Sequence, residues 1–219
     1  MLKSTPRAWP VPAALILYAL LLFVTSSMRL LEIAGGPELT ADNVRFLVMP
    51  IQIYLHAGGG ILYLFLGAIQ FSQPIRARWP KWHRWSGRVA VVAGAIAALS
   101  GLKMTETFPE VPFNPHEVYG FRVLFSLGWF ACLLLGLFAA LNRDIASHRA
   151  WMMRAYAIAL GGSTTAVLLG SWLLFYGALT PKVFALGTGA AWVINLIVVQ
   201  RIINPVVRFD WAQQARLRM

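Results

Sequence analysis

Four histidines are the residues of this sequence whose type and spacing most strongly suggest chemistry. His56 and His116 lie 60 residues apart, and His83 and His148 lie 65 residues apart. The neutral imidazole ring is the commonest metal ligand among side chains, and it is an axial ligand of haem iron. The regular spacing therefore predicts four iron ligands at matching positions of two similar segments.

The residues that follow these histidines suit a flat ligand such as a haem macrocycle. The residue four positions after a helical ligand lies on the same face, so a small residue there leaves room for a ring. Three of the four histidines are followed in this way by a glycine, namely Gly60, Gly87 and Gly120, whereas Met152 follows His148. The run 58–60 of three glycines also suits close packing of two helices without any ligand.

Arginines accompany two of the histidines and suit the carboxylates of haem propionates. They are Arg84, Arg88, Arg149 and Arg154. Arg88 follows His83 by five positions, and Arg154 follows His148 by six. Because these spacings are similar, His83 and His148 are expected to lie at similar depths in their helices. The same arginines also suit anionic lipid head groups, and a histidine at a helix end is often only a polar contact.

The elements that position these residues are membrane-spanning helices. Of the 219 residues, 58% are hydrophobic and 12% are charged, and the mean hydropathy is +0.65. Soluble domains carry about 25% charged residues. The composition therefore predicts a single transmembrane domain over residues 1–219 and excludes a separate soluble catalytic domain. The net charge is +11, and the basic residues occur in short runs between apolar segments. This pattern is typical of loops that orient a membrane protein, so it argues against nucleic acid as a partner.

Six apolar segments approach the length of about 20 residues that crosses a bilayer core. The fold class is therefore all-α, a polytopic membrane protein with six transmembrane helices. The predicted spans cover residues 9–27, 50–71, 84–104, 117–141, 150–177 and 182–200.

The second to fifth spans read as an internal repeat of one helical hairpin. His83-Arg84-Trp85 opens the third span, and His148-Arg149-Ala150-Trp151 opens the fifth. Two copies of a hairpin build a four-helix core with a pseudo-two-fold axis along the membrane normal. Helices two to five would then each supply one histidine to this core.

The distribution of charge predicts the orientation. Fourteen of the 19 lysines and arginines fall on one side of the predicted spans, and six of the eight acids fall on the other. By the positive-inside rule both termini are cytoplasmic. His83 and His148 then lie near the cytoplasmic surface, and His56 and His116 toward the outer leaflet. The first span, preceded by Lys3 and Arg7, also suits a cleaved signal peptide.

The four-histidine, six-span layout resembles the cytochrome b561 family of transmembrane electron carriers. The stretch from His56 through His83 and the segment Asn114-Pro115-His116-Glu117-Val118-Tyr119-Gly120 are similar to that family in spacing. The resemblance implies one or two haem b groups. It implies His56 with His116 as one axial pair, and His83 with His148 as the other. It also implies electron transfer within or across the membrane, with a quinol or a membrane redox complex as partner.

A second resemblance is local and covers about half of the chain. It is carried by three motifs: Leu66-Gly67-Ala68-Ile69-Gln70-Phe71, His83-Arg84-Trp85-Ser86-Gly87-Arg88 and His148-Arg149-Ala150-Trp151-Met152-Met153-Arg154-Ala155-Tyr156. They resemble the signature of a bacterial membrane protein family, the domain of unknown function 2306. This resemblance implies a location in the bacterial inner membrane and brings no activity with it.

Two other functions are compatible with the sequence. The chain could be a non-redox accessory subunit or a lipid-binding scaffold of a membrane complex, whose basic clusters hold membrane lipids. A metal site of three or four imidazoles is less favoured, because the topology separates the inner from the outer histidines. No motif of a hydrolase or metalloprotease occurs, and the sequence leaves open whether the protein is an enzyme. The single cysteine, Cys132, excludes an intrachain disulfide.

Overall fold

The computed structural model describes residues 9–40, 43–108 and 116–216, with side chains described as far as residue 204. Lys3, Arg7, Asn114 and Pro115 lie outside the described residues. Every regular element in this part of the chain is helical. The helices are α1 (Pro10–Ala34), α2 (Val44–Val48), α3 (Pro50–Gln70), α4 (Gln73–Arg78), α5 (Pro80–Thr107), α6 (Tyr119–Leu141), α7 (Ile145–Ala159), α8 (Gly161–Tyr176) and α9 (Pro181–Arg216), and a short 3₁₀ helix covers His116–Val118.

Within the described residues six helices are long and apolar enough to cross a membrane, which confirms the predicted number of spans. Four of the spans begin at a proline, namely α1, α3, α5 and α9. Proline suits the first helical turn, because its fixed φ is that of a helix and its missing N–H would have no partner there. α4 begins with a side-chain cap, in which Ser72 Oγ accepts a hydrogen bond from the Ile75 N–H. The short helices α2 and α4 were not predicted.

Several helices extend beyond the predicted spans by a turn or more. The first span continues to Ala34 rather than ending at residue 27, and the third begins at Pro80 rather than residue 84. The last helix runs on to Arg216, far beyond residue 200. In each case the helix extends past the apolar stretch into polar residues, which hydropathy alone does not assign to a span.

The centre of the bundle is formed by α3, α5, α6 and α7. α3 packs most extensively on α5, and α6 on α7, with α5 and α6 in contact between the two pairs. Small residues bring α3 and α5 together: a Cβ at Gly59 would lie 2.8 Å from the Ala93 carbonyl oxygen. An aromatic cluster fills the middle, with the Tyr63 ring centroid 5.2 Å from Trp129 and 5.9 Å from Tyr156.

The fifth span is interrupted, contrary to the prediction of one continuous helix. α7 ends at Ala159 and α8 begins at Gly161. The carbonyl oxygen of Ala157 accepts a hydrogen bond from Asn195 Nδ2 at 3.0 Å, and that of Ile158 accepts one from Trp192 Nε1 at 3.1 Å. Both donors belong to α9. A break at membrane depth needs such internal partners, because lipid offers none.

The first helix is packed into the bundle. α1 contacts α3 and α8. Ala19 is fully buried, and the Tyr18 hydroxyl lies 2.8 Å from Thr164 Oγ1 of α8. Thr164 Oγ1 in turn donates to Asn195 Oδ1 at 2.8 Å. Hydrogen bonds therefore connect α1, α8 and α9 beside the interruption.

The start of α7 carries a side-chain cap whose strength depends on pH. The carboxylate of Asp144, in the exposed connection between α6 and α7, accepts a hydrogen bond from the Ser147 N–H at 3.0 Å. That bond is the main reason why the pKa of Asp144 lies below its ordinary value of 3.8. A lowered pKa means that the cap stabilises the protein above about pH 4 and that its contribution is lost as the pH falls through the lowered value.

Replacing Asp144 by alanine should lower the midpoint of thermal unfolding at pH 7 by about 2–4 °C, the effect of losing about 1 kcal/mol of capping free energy. The difference from wild type should shrink as the pH falls through the lowered pKa of Asp144, because the protonated carboxyl loses the cap. Tryptophan fluorescence of the detergent-solubilised protein measures both midpoints. Asp144→Asn is the control, because an amide caps without titrating; an Asn variant as unstable at pH 7 as the Ala variant would contradict the assignment.

Candidate functional site

The predicted inner histidines lie at one end of the bundle, which is rich in arginine. This basic end comprises α4, the first turns of α5 and the first turns of α7. His83 lies within electrostatic range of His148 and of Arg76, although it comes from α5 and His148 comes from α7. The fold therefore brings together two histidines that are 65 residues apart in sequence.

The imidazole of His148 is held in one tautomer by a backbone contact. Its Nδ1 lies 2.8 Å from the Gly136 carbonyl oxygen of α6. Since a carbonyl oxygen only accepts, Nδ1 donates this hydrogen bond, and in the neutral imidazole the lone pair is then on Nε2. A histidine that binds a metal usually has such a partner for its other ring nitrogen. A Cβ at position 136 would overlap Met152 Cε and would lie 3.3 Å from Trp151 Cβ, so α7 packs closely on α6 at this glycine.

Positive charge is concentrated at this end. Burial, and next the charge of Arg149, lower the pKa of the Arg76 guanidinium below its ordinary value. The predicted propionate partners differ in their surroundings: Arg84 and Arg88 are exposed, and Arg149 is half-buried. Arg154 donates from Nε and Nη2 to Gln200 Oε1, at 3.2 and 2.9 Å, and lies over the Trp151 ring. An anion bound between these groups would relieve the repulsion between the arginines.

The predicted ligand-facing glycines have three different environments. A Cβ at Gly87 would lie 3.3 Å from Gln70 Oε1, so this glycine faces the α3–α5 contact. There Gln70 Nε2 donates to Ser86 Oγ at 2.9 Å. Nothing lies within 4 Å of a Cβ at Gly60 or at Gly120; Gly60 lines a cavity, and Gly120 is exposed.

The predicted outer histidines have unlike surroundings at the opposite end. His56 Nδ1 lies 2.8 Å from the Ala97 carbonyl oxygen of α5, so it donates there and leaves Nε2 with its lone pair. Arg122 lies within electrostatic range of His56. His116 is exposed in the 3₁₀ helix, and its ring stacks on Tyr119 with centroids 5.8 Å apart.

A cavity of about 180 Å³ lies beside His56. Its wall includes Gly60 of α3, Ser126 and Trp129 of α6, and Trp192 of α9. The interruption of the fifth span also borders it, through Ile158, Ala159 and Gly162. Neither the cavity nor its polar wall residue Ser126 was foreseen from the sequence.

Among the described residues no three histidine, cysteine, aspartate or glutamate side chains come close enough to hold a metal ion together. A site of three or four imidazoles is therefore not formed in this part of the chain. A haem with two axial imidazoles needs only two histidines near each other.

Arg76 is the residue of the basic end that sequence reasoning missed. It precedes the motif His83–Arg88 and belongs to the separate short helix α4. Its position in the sequence marked it only as a charge that sets orientation. Arg76 lies on α4, between α3 and α5, and its charge acts on His83 of α5, so helical periodicity within a single helix does not connect the two residues.

The six membrane-length helices found in the part of the chain that the structure describes define a polytopic α-helical membrane protein, and its basic end contains two histidines. The chain belongs to the family described as predicted membrane protein (DUF2306), which it matches over residues 53–203. The matched segment contains all four histidines. No curated protein and no solved structure matches the chain. The family predicted from the sequence motifs is thus confirmed, and the resemblance to cytochrome b561 stays a prediction.

Proposed function

We propose that this protein binds haem b at its basic end and carries electrons within or across the membrane. The observation that carries the proposal is the arrangement of His83 and His148. They come from two helices of the four-helix core and lie within electrostatic range of each other. Nδ1 of His148 donates to Gly136, so the neutral form of this imidazole has its lone pair on Nε2. Haem iron takes such imidazoles as axial ligands.

The residues present at the basic end fit a haem in their chemistry. Two imidazoles supply the axial donors, and Arg76, Arg84 and Arg149 place positive charge beside them for the anionic propionates. A bound haem b would supply a one-electron redox couple. The protein contributes the orientation of His148 through Gly136, and its arginines favour the anionic cofactor. His56 and His116 would be the axial pair of a second haem, in addition to the pair at the basic end.

We further propose that the basic end faces the cytoplasm of a bacterial inner membrane, so that both termini are cytoplasmic. The support is the excess of arginine and lysine in the connections at this end. The exposed indoles of Trp79, Trp82 and Trp85 at the same end suit the interface between head groups and acyl chains. Membrane lipids are then the immediate partners of this surface, and a quinol or a membrane redox complex is the proposed redox partner.

The second candidate is a non-redox lipid-binding scaffold or accessory subunit. The same clustering of Arg76 and Arg149 favours it, because the phosphate of an anionic lipid would relieve the repulsion as a propionate would. This candidate predicts colourless protein that retains anionic lipid or a partner subunit through purification.

Absorbance of the purified protein tests the proposal. Protein expressed with sufficient haem should show a reduced α-band in the b-haem region and about one haem per chain in a pyridine haemochrome assay. Gly87→Ala is a useful companion variant, because its Cβ would meet only Gln70 and should leave the band intact. If protein from haem-replete cells contains no haem but retains anionic lipid, the electron-carrier proposal is wrong and the lipid-binding scaffold is supported.

A further inference from the structure

The cavity beside His56 has the size of a single ring. Its volume of about 180 Å³ is far too small for a haem. An apolar protein cavity of about 150 Å³ holds benzene, so this one has room for one six-membered ring with small substituents. The cavity lies between helices that cross the membrane, where a lipid-soluble ligand would be found.

Most of the wall is apolar, and part of it is flat. Trp129 of α6 contributes its indole. Phe125 and Trp192 stack on each other with centroids 4.7 Å apart, and both belong to the wall. Flat aromatic side chains favour a flat ring as ligand through stacking. Within the described part of the chain no acidic side chain belongs to this wall, and the same holds for lysine and arginine, so the wall favours a neutral ligand.

Two polar side chains of the wall lie near each other. A Cβ at Gly101 of α5, a residue outside the wall, would lie 2.8 Å from His56 Nδ1 and 3.8 Å from Ser126 Oγ, so the imidazole and the hydroxyl approach the same position of α5. An apolar cavity with a few convergent polar groups is the usual form of a small-molecule site.

The hydrogen-bonding state of His56 selects the oxidation state of the ring. Nδ1 donates to the Ala97 carbonyl oxygen, which leaves Nε2 as an acceptor. An acceptor pairs with the hydroxyl group of a reduced ring and repels the carbonyl oxygen of an oxidised one. We propose that this cavity binds the head group of a membrane quinol, with one ring hydroxyl donating to His56 Nε2 and Ser126 as its polar neighbour.

This site is distinct from the proposed haem site, and quinol binding does not rest on the haem. It does use the same His56 Nε2 that an outer haem would need, so the two uses of His56 exclude each other. If His56 ligates iron, His56→Leu will lower the haem content. If the cavity binds quinol, the variant will keep its haem content and lose quinol affinity.

Calorimetric titration of the full chain in lipid nanodiscs tests the proposal, under anaerobic conditions. The probes are tetramethylhydroquinone and its oxidised form, tetramethylbenzoquinone, which are single rings without a tail. The wild type should bind one quinol per chain and bind it more tightly than the quinone. His56→Leu should weaken quinol binding about tenfold, the effect of losing one buried hydrogen bond. His56→Gln, which keeps an acceptor, should recover part of the affinity.

Gly60→Leu should abolish binding, because its side chain would extend into the cavity, where nothing lies within 4 Å of the new Cβ. Gly170→Leu is the matched control: Gly170 is also helical and unobstructed, but it does not line the cavity. Should Gly60→Leu fail to fold, Ser126→Val narrows the cavity from α6. Equal binding of quinol by the wild type and the cavity-filling variant would overturn the proposal, as would equal affinity for the oxidised ring.

Failure of this proposal and failure of the haem proposal are distinguishable. His83→Ala should remove the inner haem and leave quinol binding unchanged, because His83 does not line the cavity. If the protein is colourless but binds quinol, only the proposal of a quinol site in the cavity stands. If the protein contains haem but binds no quinol, only the proposal of a haem-binding electron carrier stands.

Discussion

Alanine in place of Gly161 is expected to lower the midpoint of thermal unfolding by about 5–15 °C, corresponding to a loss of about 2–4 kcal/mol. A Cβ at this position would overlap the indole of Trp192, including its Nε1 and Cδ1 atoms. The indole has little freedom to move aside, because it stacks on Phe125 and donates to the Ile158 carbonyl oxygen. Relief of the overlap would leave a buried carbonyl without its partner, which is costly in lipid.

The single cysteine provides the measurement. Cys132 is buried in the bundle, so a thiol-reactive fluorophore labels it only as the protein unfolds. Gly170→Ala is the control: it makes the same change in the same helix, at a position with nothing within 4 Å of the new Cβ. That variant should unfold at the wild-type temperature or slightly above it, because alanine favours a helix. Equal midpoints for the two variants would show that Trp192 does not constrain Gly161.

Replacing His148 by glycine is expected to remove the b-haem α-band, and adding free imidazole is expected to restore it. The glycine leaves a space in which exogenous imidazole can reach the position of the missing ligand. The rescue separates a ligand from a packing residue, because a His148 that only held α7 to α6 through Gly136 would give no such spectral recovery. Reduced-minus-oxidised absorbance with and without imidazole is the measurement.

His116→Gly is the matched control for this experiment. His116 is exposed, and its ring stacks on Tyr119. With one haem at the basic end, this variant should keep the full α-band. Loss of half the band, with restoration by imidazole, would instead identify His116 as the ligand of a second haem. An unchanged band in His148→Gly would eliminate His148 as an iron ligand.

The sequence predicted the spans because hydropathy is a local property. Each membrane-length helix carries enough apolar residues to be recognised alone, and the prolines that begin α3 and α5 lie next to those residues. The helix ends were harder to predict. Thr107 and Arg216 continue their helices through backbone hydrogen bonding, although their own side chains are polar. Hydropathy therefore located the centres of the helices better than their ends.

The interruption at Leu160 was only partly visible in its surroundings. Gly161 and Gly162, which follow it, weaken a helix, but the segment contains no proline, and helix continues from Gly161 to Tyr176. The side chains that support the break, Trp192 and Asn195, come from another helix. Their role follows from packing between distant segments, which a single sequence does not display.

The candidate site was predictable in part. Spacing alone indicated that His83 and His148 share one end of the bundle. It did not indicate that Arg76 joins them, because Arg76 belongs to a helix of its own. The spacing also did not predict the hydrogen bonds that His56 and His148 make to main-chain carbonyl oxygens. Every residue has such a carbonyl, so no residue type in the sequence marks these partners. Those two contacts depend on the exact approach of neighbouring helices.

The dependence of the fifth span on the sixth has a consequence for biogenesis. During synthesis α7 and α8 leave the ribosome before α9, so for a time the carbonyls of Ala157 and Ile158 lack their partners Asn195 and Trp192. Until the last helix has entered the membrane, the nascent chain must keep this region as a straight helix or near water. The contacts that support the interruption at Leu160 are therefore completed only at the end of translation, and a chain truncated before α9 lacks the side chains that make them.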